Sequence, residues 1–348
     1  MTSTASSSPR PSDRAPGAAP PGDVPTTGGP SPVPAAAPVA DAVPVVDGGP
    51  HGAPAPERPV GLDPDRPFGA HLRLAWWKPL LLVPGLLIAM GVLQMVLVLA
   101  VTLVEITAFG RDPLDVAISP LMLAAVNLSL AAMGPLAVLA TALVARVPWR
   151  SLLAAPRGAS VRRLVVCAGL FTTLVGAALC VSALIDPASV GIGRFAVTST
   201  TVGLLLVALL TTPLQAAGEE LMFRGAIMPL VASWIRPVRA ALVVGMIASS
   251  IAFGLAHLSV DPWLLSYYAV FGLSMAAMAV ISRGLEAPIA FHVMNNLIMM
   301  VIGALFAGGE GIVIDRSVGM GGPFMLVFIA VDLAAVGLVW LYERRLRP

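Results

Sequence analysis

Residues 79–104 read PLLLVPGLLIAMGVLQMVLVLAVTLV, a stretch without a single ionisable side chain. Wound as a helix it reaches about 39 Å, at 1.5 Å per residue. The hydrocarbon core of a bilayer is roughly 30 Å thick. Seven more apolar stretches follow, near 120–145, 164–185, 201–217, 239–258, 262–282, 287–307 and 323–342. The expected fold is therefore all-α: a polytopic transmembrane helical bundle of about eight spans.

Composition agrees. Mean hydropathy is +0.88, and 11% of the 348 residues are charged, against roughly 25% in soluble proteins. A net charge of +2 gives no electrostatic footprint for nucleic acid, so none is expected as a partner. Cys167 and Cys180 lie in one apolar segment and form no disulfide framework or cysteine metal site. No apolar run precedes Pro79, so no signal peptide is expected within the chain. Of 21 basic residues only Lys78 is lysine, and Ala, Gly and Pro abound, as in GC-rich bacterial genes. A bacterial cell membrane is the expected location.

Residues 1 to about 70, with segments such as PVPAAAPVADAVPVV, have no helical or strand period and few large apolar side chains. Such a segment cannot offset its ordering entropy and reads as a disordered tail. The membrane domain then spans 71–348. Its arginines alternate between loops. Arg146, Arg150, Arg157, Arg162 and Arg163 separate spans two and three; Arg236 and Arg239 separate four and five; Arg344, Arg345 and Arg347 follow span eight. The intervening loops carry Arg111, Arg194 and Arg316 singly. The positive-inside rule places both termini in the cytoplasm. Trp76, Trp77, Trp340 and Tyr342 suit the interfacial belt.

Ionisable groups inside spans are costly and mark function. Glu219-Glu220-Leu221-Met222-Phe223-Arg224 follows span four. On a helix Glu220 and Arg224 are i,i+4 in the favoured order for an ion pair. Glu219 points about 100° away and is left free to accept a proton. An interfacial ion pair beside a solvated Glu is the plainer alternative for this string alone. Phe253 and His257 close span five, while His292 and Asn296 share one helix face in span seven. The other histidines, His51 and His71, lie in or beside the tail. Asp332 sits mid-span in the eighth segment and implies burial against a neighbouring helix.

These residues resemble the CPBP family of CAAX proteases and bacteriocin-processing enzymes, which includes the type II CAAX prenyl endopeptidases. The motifs EExxxR, FxxxH and HxxxN are met in order by Glu219, Glu220 and Arg224, by Phe253 and His257, and by His292 and Asn296, within a motif core of about 200–305. The resemblance implies an intramembrane endopeptidase. Glu219 would activate water, with Glu220 and Arg224 orienting it. His257 would position the water or a metal, and His292 with Asn296 would stabilise the oxyanion. It implies a membrane-protein or lipid-anchored peptide substrate met in the bilayer. A zinc or other divalent ion on His257 and His292, and a metal-free glutamate mechanism, both stay open. So do a proton-coupled transporter and a catalytically silent scaffold or immunity protein.

Geometry adds one expectation. If span four ended at Glu219, His257 would lie about 27 Å away along span five. The site assembles only if the fourth helix continues through the Glu pair to about Ile235, with the pair inside the membrane.

Overall fold

The computed structural model describes residues 61–346, and among them eight helices are long and apolar enough to cross a bilayer. They are α1 Trp77–Phe109, α2 Pro120–Ala145, α3 Val161–Ile185, α4 Ser199–Ala232, α5 Val238–Ala256, α6 Pro262–Ser282, α7 Glu286–Phe306 and α8 Met325–Arg345. The chain is thus an integral, multi-pass, all-helical membrane protein. The tail reading for residues 1–60 lies outside the described residues.

α4 is the axis of the bundle. It runs unbroken through the Glu pair, as site assembly requires, and ends at Ala232. From Leu221 to Ile227 it widens to a π-helix. The cause is local: Pro229 has no N–H for the Gly225 carbonyl and its ring crowds that carbonyl, so the preceding turn opens. Every residue from Met222 to Ala232 is buried, because other helices surround this half of α4 on all sides. α2 lies closest to it. A Cβ on Gly134 would sit 2.5 Å from the Gly218 backbone, so glycine at both positions allows the close approach of α2 and α4 beside Glu219.

Two layers of loops close the bundle. At the arginine-rich end, Arg157 grips Glu286 of α7 through both guanidinium nitrogens, at 2.6 and 2.8 Å. Arg163 pairs with Glu343 of α8. Helix α3 therefore begins at Val161 and takes Arg162 and Arg163 into its first turn, earlier than the apolar pattern indicates. At the other end Ile118 bridges Ile312, and Arg194 bridges Ala307. Helix α1 runs past residue 104 to Phe109, because buried Glu105 is neutralised by Arg111 at 2.7 Å.

The tail boundary near residue 70 moves. Residues 61–76 form a strap folded onto the arginine-rich end, with Phe68, Ala70 and Leu72 fully buried. Arg66 donates to the Ile235 carbonyl at 2.7 Å, and Trp234 Nε1 donates to the Trp76 carbonyl at 2.7 Å. His71, stacked on Phe68, is buried with Nδ1 accepting the Gly69 N–H, and burial pushes its pKa down to about 4. Composition hid this because so few residues carry the contact. Trp76, Trp77 and Trp340 are exposed, in keeping with an interfacial belt.

Candidate active site

Three helices bring the motif residues together. α4 carries Glu219, Glu220 and Arg224; α5 ends at His257; α7 carries His292 and Asn296. A cavity of about 340 Å³ lies between them, and Glu219, His257 and Asn296 line it with Gln215, Tyr268 and Arg316.

The two carboxylates have different surroundings. Glu220 is fully buried behind the cavity wall; its Oε1 accepts from Arg224 Nη1 at 2.9 Å and from His292 Nδ1 at 2.8 Å. Arg224 also donates to the Gly272 carbonyl at 3.0 Å and lies over the Phe253 ring at 4.7 Å. A buried guanidinium with a carboxylate, a carbonyl and an aromatic face is held on several sides. Glu219, by contrast, faces the cavity. Its Oε1 accepts from Gln215 Nε2 at 2.8 Å, while its Oε2 is buried with no hydrogen-bond partner among the described residues.

Each histidine is set by what its Nδ1 meets. Nδ1 of His257 is 2.8 Å from the Phe253 carbonyl, one turn earlier in α5. A carbonyl only accepts, so Nδ1 carries the proton and Nε2 keeps a lone pair. The ring is stacked on Tyr268, with centroids 4.2 Å apart. Leu258, at φ 52°, turns the chain off the helix axis immediately afterwards. By the same argument His292 donates from Nδ1 to Glu220 and presents Nε2 to Glu219 Oε2, 3.5 Å away. His292 is buried and stands behind the cavity wall, between the two carboxylates.

Asn296 does reach the cavity. Its Nδ2 donates to Gln215 Oε1 at 3.4 Å and its Oδ1 accepts from Asn295 Nδ2 at 3.2 Å. The Tyr267 hydroxyl bonds Asn295 in turn. Asp332 is buried against α6, as expected of it, with Oδ2 unpartnered among the described residues. Sequence reasoning missed Gln215, Tyr268 and Arg316. Gln215 was legible in part, four residues before Glu219 on the same helix face.

Among the described residues no three His, Cys, Asp or Glu side chains converge so as to hold an ion.

Beside the cavity lies a groove of about 820 Å³ between α1 and α5, lined by apolar side chains such as Leu87, Met95, Ile251 and Leu255. Met90, Gln94 and Ala256 border both spaces.

Residues 200–298 match the family model described as type II CAAX prenyl endopeptidase Rce1-like. No curated protein and no solved structure matches the chain. The matched segment contains all three motifs, with Glu219, His257 and Asn296 of the cavity wall among them, and over that segment the chain is similar to the CAAX-type membrane proteases.

Proposed function

We propose that the chain is an intramembrane endopeptidase using Glu219 as general base. The observation that carries this reading is the asymmetry of the Glu pair: Glu220 is saturated by Arg224 and His292, whereas Glu219 keeps an unpartnered oxygen toward a polar cavity. In the mechanism, water between Glu219 and His257 gives a proton to Glu219 Oε2 as it attacks the scissile carbonyl. The lone pair on His257 Nε2 orients that water. Asn296 has a second N–H beyond the one given to Gln215, and it stabilises the oxyanion. His292 is a positioning residue: Glu220 polarises it from Nδ1 while Nε2 faces the base. The proton then passes from Glu219 to the leaving amine. No step requires a metal ion.

A proton-coupled transporter is less well supported. Its relay must continue toward both membrane faces, whereas on one side this cluster closes on Arg224, which donates to the Gly272 carbonyl.

The substrate is a peptide attached to an apolar anchor, which lies in the groove between α1 and α5 while the peptide enters the cavity. With the arginine-rich loops cytoplasmic, both termini face the cytoplasm and the base lies near mid-span. The test is to reconstitute the purified full chain in vesicles with a library of lipid-anchored peptides and read products by mass spectrometry. Hydrolysis of anchored peptides, with unanchored ones cut poorly, is the expected result. An untouched library would overturn the proposal.

A further inference from the structure

We infer that Arg316 forms an anion subsite in the catalytic cavity and takes a carboxylate of the peptide substrate. The inference rests on the endopeptidase reading and names a feature of its substrate.

Arg316 lies in the loop between α7 and α8, where sequence gives it only a loop charge. The structure turns it inward and clamps it twice: its carbonyl accepts from the Ser259 hydroxyl at 3.0 Å, and its Nη1 donates to the His257 carbonyl at 3.1 Å. It lines the same cavity as Glu219 and Asn296 and touches the Tyr268 hydroxyl. Yet its Nε is buried with no acceptor, and among the described residues it makes no ion pair.

The nearby loop acids are occupied elsewhere. Asp261 accepts the N–H groups of Trp263, Leu264 and Gly319, and Asp315 accepts that of Ser317. Glu219, the carboxylate that shares the cavity, is not paired with Arg316: its Oε1 accepts from Gln215 and its Oε2 lies 3.5 Å from His292 Nε2. A buried donor without an acceptor is costly, and a guanidinium fork fits a carboxylate best. The missing acceptor is therefore supplied from outside the chain. His257 sets the location: its ring faces the reacting water and its carbonyl holds Arg316. The bound carboxylate thus lies close to the scissile bond, either at the peptide's chain terminus or on an acidic side chain.

The test uses the full chain in nanodiscs and three short anchored peptides: one with a free C-terminal carboxylate, its C-terminal amide, and the amide carrying an added Asp. Affinity is read by competition against a fluorescent peptide, and cleavage is followed in parallel. Wild type is expected to prefer a carboxylate by about tenfold or more, the scale of a charged hydrogen bond. The arm that shows the preference identifies its source. Arg316→Gln should abolish the preference and Arg316→Lys keep part of it, with kcat less affected than KM. Equal affinity for carboxylate and amide in wild type overturns the subsite without needing any variant to fold. An equal loss for all three peptides in Arg316→Gln makes Arg316 a loop clamp only, which also overturns it. Binding discrimination without cleavage would instead count against the endopeptidase reading.

Discussion

Gln215 holds Glu219 from one turn away on α4, its Nε2 2.8 Å from Glu219 Oε1, and the same amide accepts from Asn296 Nδ2 at 3.4 Å. One side chain thus aims the proposed base and fixes which way the Asn296 amide points. Glu219→Gln should lower kcat by about 10²–10⁴-fold, the usual contribution of a general base. Gln215→Leu should leave the carboxylate present but unaimed, with a smaller loss, partly restored in Gln215→Asn. Single-turnover cleavage in vesicles measures both. Near wild-type rates in Glu219→Gln would remove it from the mechanism.

Glu220→Gln should act on the fold first. It leaves the buried Arg224 without its counter-charge, and breaking one side of such a pair costs about 3–5 kcal/mol. A clearly lowered thermal midpoint in mild detergent is expected, with activity falling alongside it. An unchanged midpoint would show that the pair carries no structural weight.

Chelation should leave activity intact. Among the described residues no three His, Cys, Asp or Glu side chains are placed to hold an ion together. Extensive dialysis against a chelator, with metal content measured before and after, checks this. Activity that disappears and returns with stoichiometric zinc would replace the metal-free mechanism.

The strap separates two truncations that composition treats alike. Removing residues 1–60 is expected to leave insertion and cleavage unchanged. Removing residues 1–76 also takes away Phe68, Leu72 and the Arg66 bonds to the end of α4. That truncation should lower thermal stability by several degrees and reduce activity. Equal behaviour of the two proteins would show the strap to be dispensable.

Acid should loosen the strap through His71. Its folded pKa is about 4 because burial disfavours the charged ring, against 6.5 for a free imidazole. Between these values the released segment binds more protons than the docked one. Docking is therefore fully stabilised above pH 6.5 and loses roughly 3 kcal/mol as pH falls toward 4. Hydrogen exchange across residues 61–76 should rise over that window, and His71→Gln should flatten the profile.

The spans were legible in the sequence because lipid demands long uncharged helices, and the loop arginines sort to one end as their spacing implied. The continuation of α4 followed from the impossibility of uniting Glu219 and His257 otherwise. Glu220 and Arg224 were paired correctly because i,i+4 geometry is local. What sequence could not supply was anything set by contact between distant elements. His292 shows this: placing it between two carboxylates, behind the cavity wall, depends on the depth at which α7 crosses α4. The inward turn of Arg316 depends likewise on a loop meeting the end of α5, and the strap on a few anchors in a proline-rich stretch.

The groove between α1 and α5 lies on spans that face the hydrocarbon, so the solvent of this site is the bilayer. Every acyl chain is then a competitor for the anchor of the proposed substrate, present in enormous excess. For a substrate confined to that phase, the operative concentration is a mole fraction of the membrane. Adding empty lipid at fixed amounts of protein and substrate should slow turnover as an inhibitor would, and a KM quoted in molar units would describe the vesicles as much as the enzyme.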